Sequence, residues 1–418
     1  MIRRWNAFWF APGDPVTLGV CRLLFFGGLF LWRLPYDFST WGAYSSVFWM
    51  PIWLFDTLRL PAFSPDTLMW VQTVWKASLF LSAVGLFARP AMTVAFVLGV
   101  YLLGLPQNFG QTQHFDTLVV FASGALAMSR AADAVSIDAW LRPRRADDAG
   151  EYTWPIKFVW VAMAVIFCAA GLSKLRHSGV EWFLSDNMSW LLWRQQYHIS
   201  DGEPLTRWGI WVANHGSLAR AMAASAVCIE TCFPLVIVSR RARYVIAPAG
   251  LLFLVGIRAL MGPTFEQFML CYVFWIRWDR IVEWVREKLG APSHLVLYDG
   301  GCGVCSRSVV VLARLDVLKR LRFADVDADW SWLSREYPGL RSDDCLAEMH
   351  VVTSGGDLAA GFDGYRSLAR SLPLAWFVLP LMYVPGVPQL GRRIYRAIAA
   401  RRTTTTCAVP ANPVRGSR

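Results

Sequence analysis

Eight apolar runs occupy the first two thirds of this 418-residue chain and limit its fold more than any other feature. Most of them approach the roughly 18 residues that a membrane-spanning helix needs. Backbone polar groups in lipid must be satisfied within their own segment, and uninterrupted apolar runs without alternation exclude a barrel. The sequence therefore predicts an all-α polytopic membrane helix bundle of about eight helices, with seven as the alternative count. The runs begin at Val16, Thr67, Ala91, Phe115, Pro155, Ser217, Arg243 and Phe265.

Composition and charge support this interpretation. The chain is 55% hydrophobic and only 17% charged, so a soluble globule is excluded and the lipid bilayer is the first expected partner. The net charge of +11 does not indicate a nucleic-acid partner, because the basic residues form short clusters at helix ends rather than one stripe. The first run continues to Leu34 as a full span, so we expect it to be retained rather than cleaved as a leader.

The distribution of arginine and lysine predicts the topology. With Arg3 and Arg4 inside, most basic loops also fall inside, and the segment 174–207 is the main exception. We therefore expect a multi-pass protein of a bacterial-type inner membrane, with both its N-terminus and its C-terminus in the cytoplasm.

The composition changes abruptly after Trp278. We predict a transmembrane bundle over 1–280, a linker over 281–292, a second domain over 293–402 and a disordered tail over 403–418. In the second domain, strands are expected at 294–298, 322–326 and 349–353, with a short fourth strand after a Gly-rich turn. Helices are expected at 305–319, 364–371 and 389–401. This order predicts a C-terminal α/β thioredoxin-like domain.

Two cysteines three residues apart, Cys302 and Cys305, stand where the first strand passes into a helix. This spacing allows a disulfide, with the first thiol facing solvent at the helix N-terminus and the second one turn further on. Because the helix dipole favours a thiolate there, Cys302 is the predicted nucleophile and Cys305 the resolving thiol. Asp299 is predicted to accept a proton during exchange; the alternative is a turn-forming aspartate.

A zinc site is an alternative interpretation of the same cysteines. It would need two further ligands, such as Cys345, His350 or Cys407, and the sequence has no second pair with ligand spacing. Inert structural cysteines are the remaining alternative. We therefore predict no metal and no certain cofactor for this domain.

The segment 295–307, with Asp299, Cys302 and Cys305 after an apolar strand, resembles the DCC family of thiol-disulfide oxidoreductases. The similarity continues over 322–328, 347–352, 364–368 and 385–388 and covers about the last quarter of the chain. The resemblance implies a thioredoxin-like fold, disulfide-exchange activity and a thiol or disulfide protein as partner.

Two titratable residues at outer helix ends, His114 and Lys174, are the candidate site of the bundle. A lysine at an apolar, small-residue helix end can be desolvated, which would make it a base near neutral pH. The alternative is an interfacial lysine and a packed histidine. Glu230 and Arg258, also within apolar runs, are expected to pair with each other.

The segments 113–118, 136–139 and 170–175, together with Trp182, resemble the horizontally transferred transmembrane (HTTM) domain shared with vitamin K-dependent gamma-carboxylases. The similarity covers roughly residues 10–280. It implies that Lys174 acts as base on a reduced quinone, assisted by His114, so a quinone is a possible cofactor of the bundle. The carboxylase pattern has paired lysines where this chain has Ser173 and Lys174.

The first functional hypothesis is a membrane-anchored thiol-disulfide oxidoreductase. The second is a non-catalytic membrane scaffold or export-maturation factor whose thiols sense redox state. The third is a quinone-dependent membrane enzyme that uses Lys174 as its base.

Overall fold

The computed structural model describes residues 2–110, 116–141, 150–197, 203–288, 294–316, 320–353, 355–372, 375–376 and 378–399. Contacts divide the chain into two compact units, Met1–Asp279 and Arg280–Arg418. The chain is mostly helical, with one small mixed sheet near its C-terminus. We describe each unit by itself.

The first unit is built from helices. In chain order they are α1 Ile2–Trp9, α2 Pro15–Arg33, α3 Trp53–Thr57, α4 Pro65–Val84, α5 Ala88–Gly104, α6 Thr117–Ala127, α7 Ile137–Leu141, α8 Trp154–Ser178, α9 Glu181–Leu184, α10 Asn187–Tyr197, α11 Trp208–Ala213, α12 Gly216–Cys232, α13 Leu235–Val238, α14 Arg240–Leu260 and α15 Glu266–Leu270. The helix α16, Trp278–Lys288, runs across the boundary between the units.

Local sequence sets where the long helices start and stop. Asp14 caps α2 by accepting the Val16 N–H at 2.6 Å, and Ser239 caps α14 in the same way through Ala242. Proline occupies the first turn of α2 and of α4, where its missing N–H costs nothing. The helix α4 ends at Gly85, whose φ of +75° is accessible to glycine without strain.

Four helical stretches are long and apolar enough to cross a membrane: Pro15–Arg33, Ala88–Phe109, Gly150–Ser178 and Arg240–Leu260. The other predicted spans are shorter or less apolar. The 20 residues of α4 fall short in hydropathy, α12 has 17 residues and α6 has 11. The last predicted run is not one helix, because α15 is followed by a 3-10 helix, Cys271–Trp275.

The centre of the first unit is a large apolar core that also contains one fully buried arginine. Arg22 of α2 donates to the carbonyl oxygens of Ala83 at 2.7 Å, Ala131 at 3.1 Å and Val135 at 2.5 Å, and also to that of Ser82. Two of these carbonyls belong to the last turn of α4, where no intrahelical donor remains. The guanidinium therefore ties the end of α4 to the 131–135 segment.

The second unit contains a four-stranded sheet with the order β2-β1-β3-β4. Strand β1 pairs with β2 in parallel and with β3 antiparallel, and β3 pairs antiparallel with β4. Two apolar clusters, one containing Val296 and the other Leu297, lie against the sheet. The elements are β1 His294–Tyr298, α17 Gly303–Leu315, β2 Leu321–Asp325, α18 Val326–Glu336, α19 Ser342–Ala347, β3 His350–Thr353, β4 Leu358–Ala360, α20 Gly361–Ser371 and α21 Val387–Ala399.

Candidate active site

The Cys302 turn lies at the carboxyl end of β1, one of the two inner strands of the sheet. The chain leaves β1 at Tyr298 and enters α17 at Gly303, with Cys302 at the N-cap position in extended backbone, φ −89° and ψ 116°. The Cys302 side chain makes no cap hydrogen bond to this helix start. Cys302 therefore lies beside the first amide groups of α17, which have no partner within the helix.

Both cysteines of the turn are buried, which corrects the prediction of a solvent-facing first thiol. Cys302 is 2% exposed and Cys305 is 5% exposed. They form an apolar cluster with Tyr298 and Val309, and Phe323 of β2 packs against it. Both thiols are buried because the first turn of α17 packs against the sheet, which also covers the side chain at the N-cap position. The neighbouring Gly301 and Gly303 are exposed.

Asp299 holds the turn together. Its Oδ1 accepts the Gly301 N–H at 2.9 Å, and its backbone oxygen accepts the Cys302 N–H at 3.3 Å. This is the turn-forming arrangement that the sequence left open as the alternative. The role of Asp299 as a proton acceptor stays a prediction.

A second carboxylate, that of Asp325, lies against the same turn and was not singled out from the sequence. Its Oδ1 accepts the Gly300 N–H at 3.3 Å and also the Asp327 N–H at 3.2 Å, so it caps α18. A Cβ on Gly300 would lie 2.0 Å from Asp325 Oδ2, so any other residue there would displace this carboxylate from the turn. It lies there because the parallel strands β1 and β2 end side by side, with Tyr298 opposite Asp325.

The third described cysteine of this unit lies elsewhere. Cys345 is buried in the cluster that contains Leu297 and Leu333, separate from the cluster of Cys302 and Cys305. Burial, with a smaller contribution from Asp344, raises the pKa of the Cys345 thiol. His350 bonds to the Glu348 carbonyl oxygen through Nδ1. Within the described ranges no three His, Cys, Asp or Glu side chains form a group that could hold a metal, and Cys407 lies outside them.

In the first unit, Lys174 of α8 pairs with Glu230 of α12. Its Nζ lies 2.6 Å and 2.7 Å from the two carboxylate oxygens, and the Glu230 side chain is almost fully buried. Gly171, one turn earlier, lets the helices approach: a Cβ there would lie 2.7 Å from Thr231 Cγ2. The expected pairing of Glu230 with Arg258 is therefore wrong. Arg258 donates to the carbonyl oxygens of Glu203 and Gly262 instead, because it lies near the end of α14.

The Lys174–Glu230 pair stands in the wall of an apolar cavity of about 250 Å³. Trp182 also lines it, with its indole ring 5.6 Å from Lys174 Nζ and its Nε1 without a partner among the described residues. The remaining lining is largely aliphatic and aromatic, including Phe167, Ile257 and Phe268. His114, the other predicted residue of this site, lies outside the described residues.

Residues 296–408, in the second unit, match the DCC1-like thiol-disulfide oxidoreductase family. This match supports oxidoreductase activity on thiols and disulfides, and it covers the cysteine turn, both carboxylates beside it and all four strands except the first two residues of β1.

A curated relative of the DCC1-like domain is an uncharacterized chloroplastic protein of Arabidopsis thaliana, 24% identical over 112 residues. That alignment covers 27% of this chain and 51% of the relative, so the chain spans about half the length of the protein it matches. No solved structure matches the chain. The resemblance of the bundle to the HTTM domain stays a prediction.

Proposed function

We propose that this protein is a membrane-anchored thiol-disulfide oxidoreductase whose DCC1-like domain uses Cys302 and Cys305 as a redox dithiol. The observation that carries the proposal is the position of Cys302 at a helix N-terminus, with Cys305 one turn further on in the same small cluster. Cysteine pairs placed in this way at the start of a helix are typical of proteins that exchange disulfides.

The exchange proceeds in two displacement steps. The Cys302 thiolate attacks one sulfur of a partner disulfide, forming a mixed disulfide and releasing the other partner sulfur as a thiolate that takes up a proton. Cys305 then loses its proton and attacks Cys302 Sγ, which frees the second partner thiol and leaves a Cys302–Cys305 disulfide. Two electrons pass to the partner. We assign the proton from Cys305 to Asp299, which already shapes the turn.

Because both thiols are buried, a partner disulfide reaches Cys302 only when the turn moves. The exposed Gly301 and Gly303 on either side of Cys302 allow that movement. Asp299 and Asp325 hold the resting turn by accepting hydrogen bonds from its backbone N–H groups. We therefore propose that partner binding opens the turn before exchange begins.

Membrane anchoring is the second part of the proposal. It is supported by the four helices that are long and apolar enough to span a bilayer. With both termini cytoplasmic, the dithiol would meet a reducing compartment and would act as a reductase of its partner.

Cysteine trapping of the full chain in its native membrane tests the proposal. Because Cys305→Ser lacks the resolving thiol, we expect it to accumulate mixed disulfides at Cys302 that dithiothreitol releases. The double variant Cys302→Ser, Cys305→Ser is the matched control and should trap nothing. Equal trapping by both variants, or trapping by neither, would show that Cys302 is not the exchanging thiol.

A second candidate function is favoured by the cavity beside Lys174 and Glu230. An apolar cavity with a polar end suits a lipid-soluble ligand such as the quinone implied by the HTTM resemblance. Lys174 is bonded to Glu230 at 2.6 Å, so it can serve as a base only after its proton has moved to that carboxylate.

Filling the cavity tests this second candidate. Ala170 lines it, whereas Leu172 of the same helix is exposed. Labelling of the purified full chain by a photoreactive ubiquinone analogue should fall about tenfold in Ala170→Trp, because the new side chain takes the ligand's space. Leu172→Trp should label like the wild type. Unchanged labelling of Ala170→Trp would remove the cavity as a quinone site.

A further inference from the structure

The last helix of the DCC1-like domain, α21, presents an apolar stripe that the domain does not cover. Leu390, Ile394 and Ile398 are spaced four residues apart, so they lie on one face, and they are 56%, 51% and 49% exposed. None of the 13 residues of α21 is fully buried. The stripe is therefore available to something outside the described part of the domain.

The helix is nevertheless firmly docked through a different face. The Tyr395 hydroxyl accepts the Met349 N–H at 2.9 Å, and Gly391 lies so close to the Phe362 ring that a Cβ would be 2.5 Å from it. Arg392 bonds to Asp363 of α20 at 2.8 Å, which lowers the pKa of that carboxyl. The exposure of the stripe is thus not a consequence of a loosely attached helix.

Positive charge lies beside the stripe. Arg393 stands between Leu390 and Ile394 in sequence and borders the apolar face, whereas Arg396 lies on the opposite side of the helix, where its Nε donates to the Arg392 carbonyl oxygen. Both are exposed, and neither forms an ion pair with another described residue. The adjoining 3-10 turn Leu381–Tyr383 contacts α21, and the side chains of Leu381 and of Val384, which follows the turn, are also exposed.

We propose that this face of α21, the Leu390–Ile394–Ile398 stripe with Arg393 at its edge, docks on an anionic lipid bilayer. An apolar stripe edged by an arginine on an amphipathic helix matches a lipid surface, with the aliphatic chains below the headgroups and the guanidinium among the phosphates. The same chain carries four helices fit to span a bilayer, so such a surface is always within reach of the domain. This inference rests on the membrane anchoring proposed above.

Docking of this kind would limit the orientations that the DCC1-like domain can adopt. Since α21 is bonded to α20 and to Met349, which precedes β3, a bilayer bound to the stripe would fix the orientation of the whole DCC1-like domain relative to that bilayer. The Cys302 turn would then face partners from one fixed direction. The proposed exchange would be confined to proteins at the membrane surface.

Photo-crosslinking in full-length protein tests the inference. Benzoylphenylalanine replaces Ile394, and the protein is reconstituted in phosphatidylcholine vesicles with or without phosphatidylglycerol. We expect a lipid adduct at position 394, increased by phosphatidylglycerol. Arg393→Gln should lower that increase about fivefold, because one arginine near an anionic surface contributes by about that factor. Arg396→Gln, on the opposite side of the helix, is the matched control and should leave the increase unchanged.

Two further positions separate the possible outcomes. Leu252 of α14 is exposed within a candidate span and should label lipid whenever the bundle is embedded, whereas Val311 on the outer side of α17 should not. Lipid labelling at 252 without labelling at 394 overturns the docking but leaves the anchoring. Absence of labelling at both positions overturns both proposals. An adduct at 394 with a second copy of the chain, or with the segment 400–418, would assign the stripe to that occupant and also overturn the inference.

Discussion

Replacing Cys302 with serine should abolish the reversible two-electron couple that we propose for Cys302 and Cys305. Exchange with a disulfide such as oxidised glutathione should slow by at least about 1000-fold, the scale of loss when a nucleophile is deleted. The reason is that Cys302, the cysteine at a helix N-terminus, is the proposed nucleophile of the exchange. Titration of the thiols in defined glutathione buffers, with alkylation and mass spectrometry, measures the couple.

Two matched variants make this result specific. Cys345→Ser should keep the couple, because Cys345 is buried in a separate cluster. Cys228→Ser should keep it too, although Cys228 and Cys232 stand one helical turn apart in α12. A couple that survives in Cys302→Ser and disappears in Cys228→Ser would move the redox chemistry from the DCC1-like domain to the first unit.

Replacing Arg22 with methionine should cause a large loss of stability in the first unit. The side chain is fully buried, and four carbonyl oxygens would lose their donor at once. Leaving buried polar groups unpaired at this scale costs about 4 kcal/mol. In a unit of this size the melting temperature should fall by about 10 °C.

Thermal unfolding of the purified full chain, followed by near-ultraviolet circular dichroism, measures this effect. Arg89→Met is the control, because Arg89 is exposed on α5 and its replacement should change the melting temperature by no more than about 2 °C. An Arg22→Met protein that melts with the wild type would mean that the carbonyls at the end of α4 find other donors.

Much of the architecture could be read from local patterns. Long apolar runs identified α2, α5, α8 and α14, because a helix satisfies its own backbone wherever its side chains are uniformly apolar. In the second unit, alternation and glycine placed β1 and the start of α17 within two residues.

The residues that contact the two candidate sites from distant parts of the chain could not be predicted from local sequence patterns. Asp325 is 20 residues after Cys305 in sequence, and it reaches the Gly300 turn only because β2 lies parallel to β1. Lys174 was recognised as unusual, but its partner was misassigned, since the depth of a charge in a helix does not reveal which neighbouring helix faces it. Such pairings depend on how helices pack, which sequence periodicity leaves open.

The amino-acid sequence by itself determined the apolar helices, the order of strands and helices in the second unit and the position of the two cysteines at a helix start, because each depends on interactions within a few residues. Only the tertiary structure decided that both thiols are buried, that Asp325 closes the turn and that Lys174 meets Glu230 at a cavity. These features arise where distant segments come together, and their energies depend on burial and contact rather than on local pattern.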